Sequence, residues 1–95
     1  MHAAALSVEL HLPEVRSLKE KRGVIKPIVD GSRHRFGVAA AEVGKQDRWQ
    51  ASELAFAAVA STPHHVEEVP DSVERFVWSF AEVEVLSCER YWWGQ

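Results

Sequence analysis

Cysteine is nearly absent: Cys88 stands alone, so no internal disulfide can close and no cysteine cluster can hold a metal. The five glycines and four prolines are scattered, and they form no glycine-rich phosphate cradle. No hydrolytic triad is evident either. Long apolar runs are missing. The stretch from Met1 to Leu12 is broken by His2, Ser7, Glu9 and His11, lacks a cationic leader, and falls short of the roughly 20 residues that span a bilayer. These absences point to a cytoplasmic protein with no catalytic role, no cofactor, no metal and no membrane partner. No internal repeat, low-complexity tract or linker interrupts the chain, so residues 1–95 read as a single domain.

What the sequence does contain is a globular composition, 46% hydrophobic and 26% charged, with an uneven distribution of charge. Seven of the eleven Lys and Arg residues lie between Arg16 and Arg35, opposed there only by Glu20 and Asp30. That stretch carries about +5 and the remaining residues about −8, giving the formal net charge of −3. A local cationic surface of this kind attracts phosphates or acidic partners although the whole molecule is anionic.

Hydrophobic periodicity orders the elements. Residues 3–12 alternate, with Leu6, Val8, Leu10 and Leu12 on one face, as in a half-buried strand that Pro13 ends. Ser17-Leu18-Lys19-Glu20 reads as a capping box opening a helix. Leu18, Ile25, Ile28, Val29 and Phe36 then share an arc of about a third of the helix circumference, and Pro27 predicts a kink rather than a break. Phe36 to Gly44 and Ala51 to Ala60 read as strands joined by a hairpin loop. Thr62-Pro63 opens a second helix, bent at Pro70, that turns Val66, Val69, Val73, Phe76, Val77 and Phe80 toward the sheet. A last strand runs from Val83 through Tyr91. The order β-α-β-β-α-β predicts a ferredoxin-like α+β sandwich, an antiparallel four-stranded sheet with both helices on one face. A plain α+β sandwich with another strand order is the alternative.

His11-Leu12-Pro13 followed by Arg16-Ser17-Leu18-Lys19-Glu20-Lys21-Arg22 resembles the signature of the YlxP-like family of small bacterial proteins, a domain of unknown function. Ala41-Glu42-Val43, Gln46-Asp47-Arg48-Trp49-Gln50, His65-Val66-Glu67-Glu68-Val69 and Glu82-Val83-Glu84-Val85-Leu86 extend the resemblance over nearly the whole chain. It implies a ferredoxin-like fold. The neighbourhood of the family's genes, beside those for translation initiation and ribosome maturation, implies a ribosome-related role. Pro70 and the Tyr91-Trp92-Trp93 ending depart from the family pattern.

Two surfaces stand out as candidate sites. Lys19, Arg22, Lys26 and Arg33 lie within about 60° on the helical wheel, with Arg16 just before the helix, in a row that can track a phosphate backbone. Lys21 and Arg35 flank the apolar arc on its other side. The expected partner is ribosomal RNA or the small ribosomal subunit, with no DNA sequence recognition. The bland reading is a solvated helix whose cations pair with Glu20 or Asp30.

The second surface is the uncovered sheet face, where Ala55, Ala57 and Val59 form a smooth apolar patch that Ala39, Ala41 and Val43 can extend. Such a patch predicts a homodimer or higher oligomer, and a self-associating domain that binds a protein partner is the competing function. The central strands offer no stacking aromatics of the kind RNA-recognition motifs use. His64 and His65 with Glu67 and Glu68 read as a solvated helix start rather than a metal site. Cys88 reads as a small buried residue, and Trp49 either anchors a partner or, as its position favours, pins the hairpin to the domain. Of Trp92 and Trp93, one is expected to pack and the other to stay exposed.

Overall fold

The computed structural model describes residues 1–94. The strand alternation read in the first residues holds through β1 (His2–His11), where Ala4, Leu6, Val8 and Leu10 are buried and the residues between them are partly exposed. Leu12 lies just beyond the strand and is buried too. Five further elements follow: α1 (Leu18–Phe36), β2 (Ala39–Gly44), β3 (Ala51–Ala60), α2 (Pro63–Trp78) and β4 (Glu84–Gly94). The sheet order is β2-β3-β1-β4 with every neighbouring pair antiparallel. This is the ferredoxin-like α+β arrangement, in which each helix crosses over the sheet between strands that are not neighbours.

Local chemistry sets the helix ends. The Ser17 hydroxyl accepts from the Glu20 amide at 3.1 Å, and the Glu20 carboxylate accepts from the Arg16 amide at 2.6 Å, one residue before the Ser17 amide of an ordinary capping box. At the other end Gly37 adopts φ 64°, the left-handed conformation that closes a helix, and its amide donates to the Arg33 carbonyl at 3.0 Å. Phe36 is therefore the last residue of α1, and the second strand begins at Ala39, three residues later than its apolar pattern predicts. Both helices run unbroken through their prolines, Pro27 and Pro70.

Leu6, Val8, Leu10, Leu54 and Phe56 from the sheet meet Ile25, Ile28 and Val29 of α1 and Val73 and Val77 of α2 in one core. Fully burying a side chain of this size contributes roughly 1.5–3 kcal/mol. Phe76 does not face the sheet as its spacing predicts. It turns toward α1, edge-on to Phe36 with centroids 5.7 Å apart, over Gly31, where an added Cβ would meet the ring at 2.7 Å. Phe80 lies beyond the end of α2 and packs edge-on against Phe76 at 5.1 Å.

The final strand is longer than its sequence predicts. It continues past Tyr91 to Gly94 because Ala3 and Ala4 of β1 pair with Trp93 and Trp92. No helix among the described residues is long and apolar enough to cross a membrane.

Candidate functional site

The basic segment divides into three kinds of cation once it is folded. Lys21 leaves the surface altogether, with 2% of its area exposed. Its ammonium pairs with Glu42 at 2.7 Å and donates to the carbonyls of Lys45 at 2.7 Å and Gln46 at 3.4 Å. The same Glu42 oxygen accepts from the buried Ser52 hydroxyl at 2.6 Å. All three ammonium donors are thus directed at oxygens, and the network ties α1 to the β2–β3 connection. Lys21 shares the face of Ile25, Ile28 and Val29, and Glu42 shares the face of Val38 and Ala40, so both sit in the interior phase of their elements. That shared phase was the available sequence signal for the pair.

Arg33 and Arg35 belong to a second kind, held against the protein itself. The Arg33 guanidinium donates to the Ala40 carbonyl, on the outer edge strand β2, and meets Asp30 at 3.5 Å. Arg35 lies over the Phe76 ring, 4.9 Å from its centroid. Arg16, Lys19, Arg22 and Lys26 make up the third kind, all exposed. Lys26 pairs with Asp30 at 3.0 Å across i, i+4, with 77% of its side chain in solvent, a contact of small energetic weight. Among the described residues the side chains of Arg16, Lys19 and Arg22 meet no acidic partner. Beside this row a groove of ≈ 250 Å³ runs between α1 and the β2–β3 connection, with Leu18, Ile25 and Val29 on its apolar side and Arg22 and Lys26 on its rim.

The register settles which residues share the open sheet face. Ala39, Ala57, Ala5 and Tyr91 lie side by side across all four strands. Ala41, Ala55, Ser7 and Glu89 form the next row on one side, and Val59, Ala3 and Trp93 the next on the other. Val59 is 71% exposed and Trp93 58%. The Tyr91 and Trp93 rings stack with centroids 6.3 Å apart, and the Tyr91 hydroxyl donates to Glu89 at 2.7 Å, which raises its pKa. These two aromatics belong to the open face but stand on the edge strand β4, away from the central strands. Toward the opposite end the face becomes acidic. There Glu53 accepts from Ser7 at 3.1 Å, and Glu9 pairs with Lys45 at 3.5 Å.

Trp49 does not pin its loop. It is 54% exposed, and Gln50 ties the loop down, its amide donating to the Val15 carbonyl at 3.0 Å and its carbonyl accepting from Leu12 at 2.9 Å. His64 pairs with Glu68 at 2.9 Å on the exposed start of α2, while His65 and Glu67 are also in solvent. Trp92 lies on the helix side near Pro63 and Val66 and is still 47% exposed. Cys88 is half-buried and donates to Glu74 at 3.2 Å. Burial and that carboxylate push its thiol up to about 11, which favours the protonated thiol at neutral pH. Arg90 bridges Glu74 at 2.9 Å and Asp71 at 2.7 Å, fastening α2 to β4.

Similarity to known proteins follows the same lines. The fold resembles a de novo designed protein, Foldit4, with a TM-score of 0.56 over 100% of this chain and 99% of that one, at 11% identity. That likeness concerns the fold alone. The "Uncharacterized protein YlxP" of Bacillus subtilis (strain 168) is 38% identical over 76 residues, covering 80% of this chain and 83% of the relative. The family model described as "Protein of unknown function (DUF503)" matches residues 3–90, and with that span the chain belongs to the DUF503 family of YlxP-like proteins.

Proposed function

We propose that the protein is a non-enzymatic accessory factor that docks through α1 on ribosomal RNA or the small ribosomal subunit. The observation that carries this reading is the exposed row of Arg16, Lys19, Arg22 and Lys26, cationic side chains that no strong internal ion pair occupies. Arg33 extends the row but already serves the β2 edge, so its part in binding is secondary. A flexible cation in solvent can exchange its counterions for phosphate oxygens, and the resulting affinity falls with salt. The decisive experiment is co-sedimentation with small ribosomal subunits at low and moderate salt. Replacing Lys19, Arg22 and Lys26 together by Gln should weaken binding and flatten its salt slope by roughly one unit per lost phosphate contact. Unchanged affinity and slope in that variant, with native circular dichroism, would remove α1 as the binding surface.

A second reading, a self-associating domain that meets a protein partner, draws on the apolar half of the open sheet face. The two readings use opposite sides of the molecule. Measured molar mass bears on one and salt-dependent binding on the other.

A further inference from the structure

We infer that the open sheet face is covered by the same face of a second copy, turned about a two-fold axis parallel to the strands, so that Tyr91 of each copy lies over Ala39 of the other. This arrangement rests on the self-association reading and specifies its geometry.

Height is the first argument. The face is low on β2 and β3, where Ala39, Ala41, Ala55 and Ala57 end at a single methyl, and tall on β4, where Tyr91 and Trp93 stack into a ridge. Face-to-face sheets sit about 10 Å apart, which accommodates one tall side chain against one short one but not two tall ones end to end. An axis along the strands exchanges β4 with β2 and β3 with β1. It therefore sets Tyr91 on Ala39 of the other copy and Ala57 over Ala5, while Trp93, one row past the start of β2, lies beside Val59 of that copy. An axis across the strands would drive ridge against ridge. The surface is thus complementary to itself in only one of the two orientations, the condition an isologous interface must meet.

Area and charge agree with this. The chain exposes 5870 Å², against roughly 5500 Å² for a compact monomer of its 10.7 kDa mass. Four strands spaced about 4.8 Å apart and about 3.4 Å per residue make a face of roughly 600 Å² in plan, before side-chain relief is added. A stable interface removes about 800 Å² of accessible surface from each partner, so the open face is of the right size. Packed sheets cross at about 30°, so they lie closest at one region and splay elsewhere. Centring the contact on Ala57 and Ala5 places the splayed end at Glu9 and Glu53. There Lys45 and Ser7 already hold the two carboxylates.

Cysteine cross-linking tests the orientation. In a Cys88→Ser background, Ala39→Cys with Tyr91→Cys should give a covalent dimer with a short bis-maleimide, which can bridge sheets about 10 Å apart where a disulfide cannot, and neither substitution alone should. Within one copy residues 39 and 91 lie three strands apart, roughly 14 Å, so the shorter path for the reagent runs between copies. Light scattering on the wild-type chain should report a dimer, and Ala57→Arg should give a folded monomer. A dimer that cross-links through Tyr91→Cys alone would mean ridge-on-ridge or β4-edge pairing. A dimer that survives Ala57→Arg would use another surface. Either result overturns the orientation while self-association stands. A wild-type monomer at high concentration overturns both.

Discussion

Lys21 shows how a single residue can carry charge in the sequence without presenting it at the surface. An ammonium taken out of water is tolerated only with its hydrogen-bonding capacity filled, and here Glu42 and the Lys45 and Gln46 carbonyls fill it. Lys21→Met should therefore destabilise the fold by about 3–5 kcal/mol, the scale of breaking a buried pair. Lys21→Met with Glu42→Leu should restore much of the loss, since the second change removes the orphaned carboxylate. Chemical denaturation of the single and double variants measures this, and a single variant as stable as wild type would contradict the role given to the network. A second prediction concerns the group around Cys88. Hydrogen bonding from Arg90, then from Cys88, holds the Glu74 carboxyl below its ordinary 4.5. A carboxyl depressed in the folded state stabilises it at higher pH, so this contribution is lost as pH falls below about 4.5, and Arg90→Gln should reduce that acid sensitivity. The Cys88 thiol moves the other way, so it should alkylate slowly at pH near 8 and faster after Glu74→Gln removes one cause of its raised pKa. Of these partnerships only the Lys21–Glu42 pair had a sequence signal, the shared interior phase of the two residues, and the others depend on tertiary register. The positions of Lys19, Arg22 and Lys26 on one exposed helix face were legible, because that placement depends only on helical period.

At the scale of elements, periodicity identified every strand and helix, and the discrepancies lie where two local signals compete. Phe36 is apolar and in phase with both α1 and the following strand, and Gly37 decides between them by closing the helix with a positive φ. The sequence predicts that one of Trp92 and Trp93 packs and the other stays exposed, but both are exposed, and cross-strand pairing with β1 carries the strand to Gly94. Pro70 is the clearest conflict between local preference and tertiary position. It lies inside α2, cannot donate to the Val66 carbonyl, and is buried between Val66 and Val73 along the same helix. An interior proline costs about 3 kcal/mol relative to alanine. Exchanging its ring for a methyl forfeits two buried methylenes at about 0.8 kcal/mol each. Pro70→Ala should therefore gain about 1 kcal/mol, read from the denaturation midpoint, and a net loss would show that ring packing outweighs the missing hydrogen bond. Gly31 poses the reverse case. Gly31→Ala favours the helix by up to about 1 kcal/mol, but its methyl would displace Phe76 from its edge contacts with Phe36 and Phe80, and crowding of this sort costs about 1–3 kcal/mol. A modest net destabilisation should follow.

For the whole molecule, the two charged poles and the two faces of the sheet separate the proposed functions in space. The helices cover one face of the sheet, so in the face-to-face dimer both copies of α1 point outward. The cationic rows then stay apart and free to meet phosphate while the apolar faces meet each other. The energies differ in kind as well. Phosphate binding weakens with salt through counterion release, whereas apolar burial responds little to moderate salt. A chain of this size has a marginal core, and a partner that binds only the folded form adds to its stability by mass action. The thermal midpoint of the wild-type chain should therefore rise as protein concentration is raised. It should do so at low and moderate salt alike, and equally in the variant with Lys19, Arg22 and Lys26 replaced by Gln. Ala57→Arg places a charge in the middle of the sheet face, and its midpoint should be lower than wild type at high concentration and independent of concentration. Scanning calorimetry over a hundredfold concentration range makes the comparison. A flat wild-type midpoint would count against dimerisation through the sheet, and a concentration dependence lost in the Gln variant instead would transfer the self-contact to α1.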